Sequence, residues 1–347
     1  MDNGKHLLVI RLSAMGDVAM TVPVLKSLLD TYPDLKVTVL TKGFLSPIFM
    51  DLDRVNVHVA DVSKKHKGVY GLWKLFKELR SMQIDAVADL HNVLRSNILK
   101  RFFLLAKIPF VQIDKGRKEK KALTAEKDKV FKQLKSTHQR YADVFIQLGF
   151  PFILPENNFL AKKVLSQEGL NLLGSNPRKW IGIAPFAAFE GKMYPLELME
   201  EVVRHLNKTN QYKILLFGGG GKEKEILDQW GNTYSDCISL VGKLALEEEL
   251  ALISNLDLML SMDSGNAHLA ALFGIPIITL WGVTHPFAGF YPYGQDLDNA
   301  LLSDRERYPL IPTSIYGNKV PEGYEDVMTS ITPKAILNKI ALLLNAI

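Results

Sequence analysis

The feature that most constrains this chain is an alternation, run through twice, of short apolar stretches and longer segments of helical period. Residues 7–10 read Leu-Leu-Val-Ile and are closed by Arg11. A four-residue apolar run bounded by charge is the mark of a strand buried on both faces. The small-residue loop Ser13-Ala14-Met15-Gly16-Asp17 follows, and residues 18–32 then place Val22, Leu25, Leu28 and Leu29 at helical spacing. The pattern predicts further strands at 36–41, 56–59, 86–90 and 110–113, and helices at 72–82 and 94–105. Strands that alternate with helices imply a parallel sheet covered on both faces.

After a helix at 137–148, ended by Gly149, residues 150–158 (Phe-Pro-Phe-Ile-Leu-Pro-Glu-Asn-Asn) read as an extended linker. Two prolines and paired asparagines resist both a helix and a central strand. A second series then begins. Strands are expected at 180–184, 213–217, 258–261 and 276–281, and helices at 196–206, 223–230, 247–254 and 267–273. Residues 282–325 are turn-rich, and Thr332-Pro333 opens a last helix over 334–344. The expected organisation is α/β, with two Rossmann-like doubly wound halves. The first spans 1–150, a linker covers 151–162, and the second half spans 163–332. The closing helix, 333–347, could pack back on the first half. In such sheets ligands sit beyond the carboxyl ends of the strands, so two halves facing each other would enclose a cleft lined by the loops after the strands.

Composition narrows the class. The chain has 347 residues, 47% apolar and 23% charged, ample apolar surface to offset the entropy of ordering. Cys237 is the single cysteine, which excludes an internal disulfide framework and a zinc or iron–sulfur site built on cysteines. Apolar runs such as 275–281 and 341–344 fall far short of a membrane span. The run at 7–10 is too short for a signal-peptide core, so a cytoplasmic location is the expectation. The formal net charge is +5. Residues 115–135 alone hold nine basic and three acidic residues, a surplus of six. This segment reads either as a solvated surface or as a contact for an anionic acceptor and an anionic membrane surface. It lacks the interleaved aromatics of a nucleic-acid reader.

Four loops carry chemical potential. Arg11-Leu12-Ser13-Ala14-Met15-Gly16-Asp17 joins the first strand to its helix, where backbone N–H groups and the positive helix end favour an anion. On position alone Asp17 reads first as a helix cap, and the loop lacks the glycine spacing of a dinucleotide fold. Met262-Asp263-Ser264-Gly265-Asn266-Ala267-His268 offers hydroxyl and amide donors to a phosphate or a sugar, or is a tight turn with an Asp/Ser cap. Gly218–Gly221 with Glu223 allows close backbone approach and an acceptor for ribose hydroxyls, or is a flexible loop. Residues 184–195 bring Lys192 to the end of a small-residue loop, either as a point charge for a diphosphate or as an exposed lysine.

Taken together in this order, the loops resemble those of glycosyltransferase family 9, the lipopolysaccharide heptosyltransferases. The resemblance rests on Arg11…Ser13-Ala14-Met15-Gly16-Asp17 with Pro23, on Asp89-Leu90-His91-Asn92-Val93-Leu94-Arg95-Ser96, and on Lys192. It rests above all on Asp263-Ser264-Gly265-Asn266-Ala267-His268-Leu269-Ala270-Ala271, followed by Gly274-Ile275-Pro276 and Trp281-Gly282-Val283-Thr284-His285-Pro286. The resemblance implies a GT-B architecture, with an acceptor-side first half and a nucleotide-sugar donor on the second. It implies an inverting transfer without a metal or other cofactor, from ADP-heptose in the best-known members, onto an anionic lipid-linked glycan at the inner membrane surface.

Residue by residue, Asp17 matches the general base. Lys192, Glu223, Asp263, Ser264, Gly265 and His268 match donor-binding positions. Ser13, Gly16, Arg95, Lys115 and Arg117 fall on the acceptor side. Ala187 and Ala188 stand where relatives tend to place hydroxyl residues, and His285 where an aspartate is usual. Lys192 and the helix start at 263–266 would stabilise the leaving diphosphate in place of a metal. The competing readings are a nucleotide-sugar-binding relative without catalysis and another GT-B enzyme, such as a nucleotide-sugar epimerase.

Overall fold

A computed structural model describes residues 4–173 and 178–345. Positions 1–3 of the N-terminal reading and 346–347 of the closing helix lie outside the described residues. The chain divides into two compact units, Met1–Lys115 with Thr137–Asn158, and Gly116–Ser136 with Phe159–Ile347.

The first unit holds five parallel strands: β1 (His6–Ile10), β2 (Lys36–Thr41), β3 (Val55–Val59), β4 (Ala86–Asp89) and β5 (Phe110–Gln112). Their order is β3-β2-β1-β4-β5. Leu7 pairs with Val37 on one side and Ala86 on the other, and Ile10 with Leu40 and Asp89. The apolar run that predicted β1 is wholly buried, as a central parallel strand should be. Strand order reverses between β1 and β4, so the loops after these two strands border the crevice where doubly wound sheets take ligands. The helix Gly68–Arg80 buries Leu72, Leu75, Phe76 and Leu79. Phe76 meets Phe103 of the helix Leu94–Leu105 edge to face at 5.1 Å.

The helix expected over 18–32 is instead two, Met15–Ala19 and Val22–Thr31. Pro23 has no N–H to give to Ala19, which a continuous helix would require. It sits in the first turn of the second helix, where that donor is dispensable. The Thr21 hydroxyl donates to the Val18 carbonyl at 2.6 Å across the break.

The second unit holds β6 (Lys179–Ala184), β7 (Tyr212–Leu216), β8 (Cys237–Ser239), β9 (Leu258–Met262), β10 (Ile277–Trp281) and β11 (Ala300–Leu302), all parallel. The order is β11-β10-β9-β6-β7-β8, reversing between β6 and β9. The strands β8 and β11, three residues each, and the helix Gln167–Leu173 were not expected.

Three placements differ from the sequence reading. The closing helix Pro333–Asn345 buries Ile336, Ile340 and Leu344 in the second unit's own core, with Met199 and Val203 of the helix Leu196–Thr209. Residues 150–158 are tied to the first unit: Tyr32 donates to the Pro151 carbonyl at 2.7 Å, and Asn158 to Ser27 at 3.0 Å. Gly116–Ser136 groups with the second unit, not the first. There Leu123 and Leu134 are buried with Ala288, and Phe131 packs 4.9 Å from Phe287. Two of the segment's lysines serve this packing. Lys120 is buried over the Phe290 ring, and Lys129 donates to the carbonyls of Leu123 and Pro312 at 3.0 and 2.8 Å.

Candidate active site

In the first unit the loop after β1 is organised by Arg11. Its guanidinium forms an ion pair with Asp17, donates to the Leu90 carbonyl beyond β4 at 2.7 Å, and lies 5.9 Å from the centre of the Tyr141 ring. The Tyr141 hydroxyl donates to the Asp17 backbone carbonyl at 3.3 Å. Asp17 does cap its helix: its Oδ2 accepts the Ala14 N–H at 3.3 Å. Both side-chain contacts fall on Oδ2. With 27% of the side chain exposed, Oδ1 is left to accept a proton. Gly16 is buried beneath the loop and Ser13 half-buried at its rim.

Beyond β4, Asp89 Oδ1 accepts from the N–H groups of His91 and Asn92, both at 2.9 Å, and fixes that turn against the first loop. His91 Nδ1 stands 3.5 Å from the Leu12 nitrogen. Burial, and then the positive charges of Arg11, Lys115 and Arg95, hold its pKa down to about 4. The imidazole is therefore neutral, and Arg95 and Lys115 are among the charges that act on it. Arg117 opens the helix Arg117–Leu123, which groups with the second unit and buries Lys120 and Leu123.

In the second unit the ends of β6, β9 and β10 meet around Asp263. Its Oδ2 accepts from Lys192 Nζ at 3.0 Å and from the Thr284 hydroxyl at 3.1 Å. The contact is allowed by three glycines. Gly191 O accepts the Val283 N–H at 2.9 Å, and a Cβ on Gly282 would overlap that oxygen and approach Met328 Sδ to 2.7 Å. Gly317 has φ +82°, and a Cβ there would overlap Lys192 Cγ and lie 2.5 Å from Cδ. The lysine stem thus runs across a glycine that no other residue could replace without moving it.

The Ser264 hydroxyl is 3.1 Å from that of Ser261, and Gly265 opens the helix Gly265–Ala271, on which His268 is buried. Glu223 Oε2 accepts the Gly219 N–H at 2.6 Å, so the acid folds over its glycine loop. His285 Nδ1 accepts the Phe287 N–H at 3.1 Å. Burial and the charge of Arg305 hold its pKa down to about 4, and it too is neutral. Sequence reasoning quoted Thr284 and Arg11 inside motifs without giving them a task. It missed Tyr141 and Gly317, which only tertiary contact reveals.

The sequence description of glycosyltransferase family 9 (heptosyltransferase) matches residues 72–312, more than half of the chain. The chain belongs to this family. It is a glycosyltransferase of the heptosyltransferase family. The family 9 chain is 26% identical, over 302 residues, to the lipopolysaccharide core heptosyltransferase OpsX of Haemophilus influenzae, with 86% of this chain and 84% of that protein aligned. A family 9 glycosyltransferase structure from Veillonella parvula superposes with a TM-score of 0.76 at 19% identity, covering 100% of this chain and 99% of that one. The ADP-heptose lps heptosyltransferase II of E. coli gives 0.70 at 22% identity, covering 98% and 99%. The fold of these structures is the expected GT-B fold.

Proposed function

We propose that this family 9 enzyme transfers a heptose from ADP-heptose to a lipopolysaccharide core acceptor, with inversion and without a metal. The donor reading is supported by the E. coli heptosyltransferase II, which is named for ADP-heptose. An acceptor hydroxyl attacks the anomeric carbon on the face opposite the diphosphate. The new C–O bond forms as the bond to the leaving phosphate oxygen breaks, and the hydroxyl proton passes to Asp17 Oδ1. The observation that carries the assignment is the asymmetry of that carboxylate: Arg11 and the Ala14 N–H both hold Oδ2, fixing the group while its other oxygen stays available.

Lys192 neutralises charge developing on the departing ADP, oriented by Asp263 and Thr284. Glu223 accepts from the ribose hydroxyls, and Ser264, Gly265 and His268 complete the donor site. Ser13, Gly16, Arg95, Lys115 and Arg117 receive the anionic acceptor, with Arg11 adding to the positive field. Among the described residues no helix is long and apolar enough to cross a membrane. With a lipid-linked acceptor, the enzyme works as a peripheral protein on the cytoplasmic face of the inner membrane.

The test is Asp17→Asn assayed with ADP-heptose. Turnover should fall by ~10²–10⁴ while the thermal shift produced by ADP stays at the wild-type value. Wild-type turnover in the purified variant would return Asp17 to the role of helix cap alone.

A further inference from the structure

The outward face of the helix Gly68–Arg80 and the loop before it are used by nothing described above. The inward stripe of this helix packs in the core, yet the opposite face carries Val69, Tyr70 and Trp73, exposed by 62, 67 and 40%. A solvent-facing helix surface is ordinarily polar. The two rings stack at 5.8 Å with 22° between their planes. Lys74 Nζ lies 4.7 Å from the centre of Tyr70, and Lys77 Nζ 4.3 Å from that of Trp73. The preceding loop exposes Lys64 and Lys67, while Lys65 pairs with Glu78 at 2.8 Å. The one acid of the helix, Glu78, is drawn to the other side by His58, His66 and Lys65.

We propose that this face docks on the surface of an anionic lipid bilayer. Rings with an apolar body and a polar edge settle at headgroup level, and the lysines beside them match the negative surface. The charge and the rings favour this occupant over the alternatives. A second copy of the chain would bring two strongly positive faces together. A nucleic-acid base needs a free ring face, and here each ring already has the other ring and an ammonium as neighbours. The proposal rests on the reading that the acceptor is lipid-linked, and it names the surface that meets the lipid. The surplus at 115–135 is a poorer candidate, because Lys120 and Lys129 are spent in packing.

The test is sedimentation of the full chain with vesicles of phosphatidylethanolamine and phosphatidylglycerol, against vesicles of phosphatidylcholine alone. Emission of Trp73, the one tryptophan among the exposed large apolar residues, is followed in parallel with brominated lipid. Wild type should bind the anionic vesicles, release them as salt rises, and show Trp73 quenching. Tyr70→Ser/Trp73→Ser should abolish binding. Lys64→Gln/Lys67→Gln should weaken it about 25-fold, at about fivefold per lysine. Trp73→Phe, which keeps the helix packed, should retain binding and lose the quenching.

Both multiple variants should turn over a delipidated acceptor at the wild-type rate. That separates the two ideas: no transfer to that acceptor by wild type sinks the proposed heptose transfer to a lipopolysaccharide acceptor, while vesicle binding judges the docking face. The proposal is overturned if wild type fails to sediment, if the variants bind as well as wild type, or if Trp73 is protected by self-association or RNA instead of vesicles.

Discussion

Removing the Lys192 ammonium should cost the second unit more than it costs a typical lysine site. Asp263 is 8% exposed at its side chain and Lys192 15%, so Lys192→Met leaves a buried carboxylate with only the Thr284 hydroxyl at 3.1 Å. Breaking a buried pair by deleting one partner costs about 3–5 kcal/mol. Water can reach the lysine end, which puts this case at the lower limit, about 3 kcal/mol. For a unit of this size each kcal/mol moves the melting temperature by about 2–4 °C, so a drop of about 6–12 °C is expected. Adding Asp263→Asn removes the stranded charge, and the double variant should recover to within about 1 kcal/mol of wild type. Donor binding should not recover with it, because the ammonium that faces the diphosphate is still missing. Calorimetry of the wild type, both single variants and the double variant, with and without ADP, separates the two effects. Additive melting shifts, or a Lys192→Met protein that melts with the wild type, would show that Asp263 does not depend on Lys192 for compensation.

Gly317→Ala should raise the donor KM about tenfold with a smaller effect on kcat, since the new methyl displaces the Lys192 stem and the left-handed backbone adds about 1–2 kcal/mol of strain. An unchanged KM would mean that the lysine is placed without the glycine. His91 and His285, each held to about 4 against an ordinary 6.5, bind fewer protons folded than unfolded. Their stabilisation is fully present above about pH 6.5 and is lost as the pH falls toward 4, by about 3 kcal/mol for each. Urea titrations across pH 4–7 should show that slope, and His285→Gln should flatten it; an equal slope in the variant would refute the assignment.

How much of this could be read from the chain depends on the kind of signal. Buried parallel strands write themselves as apolar runs, so β1 was legible, and the amphipathic helix Leu94–Leu105 was legible to its end residues. The strands β8 and β11 are edge strands of three residues, too short for any period to show. Pro23 carried the break in the first helical stretch, and apolar spacing outweighed it. In 115–135 the nine basic residues drew attention to solvent, while Leu123, Phe131 and Leu134 in the same segment were the residues that decide where it packs. The loops with chemistry were visible because small residues, a carboxylate and a turn after a strand coincide there. Gly317 was not, because its importance lies in a contact with a residue more than a hundred positions away.

The same contact bears on why a lysine stands at position 192. An ammonium has three donors arranged around a point charge, so it can keep its bond to Asp263 and still present donors to a phosphate. A guanidinium would match Asp263 with a planar fork and leave fewer donors free to turn toward a phosphate. Thr284 donates to the same Asp263 oxygen as Lys192, so that oxygen keeps a donor if the ammonium turns part of its bonding to a diphosphate. Ala187 and Ala188 add no hydroxyl near the lysine's loop. On the proposed donor reading, affinity for the diphosphate falls on Lys192 and on the backbone of the turn at 263–266. Three glycines, 191, 282 and 317, hold the first of these in position. A site built this way is sensitive to a single methyl group in its wall, and tolerant of change in side chains that never touch that wall.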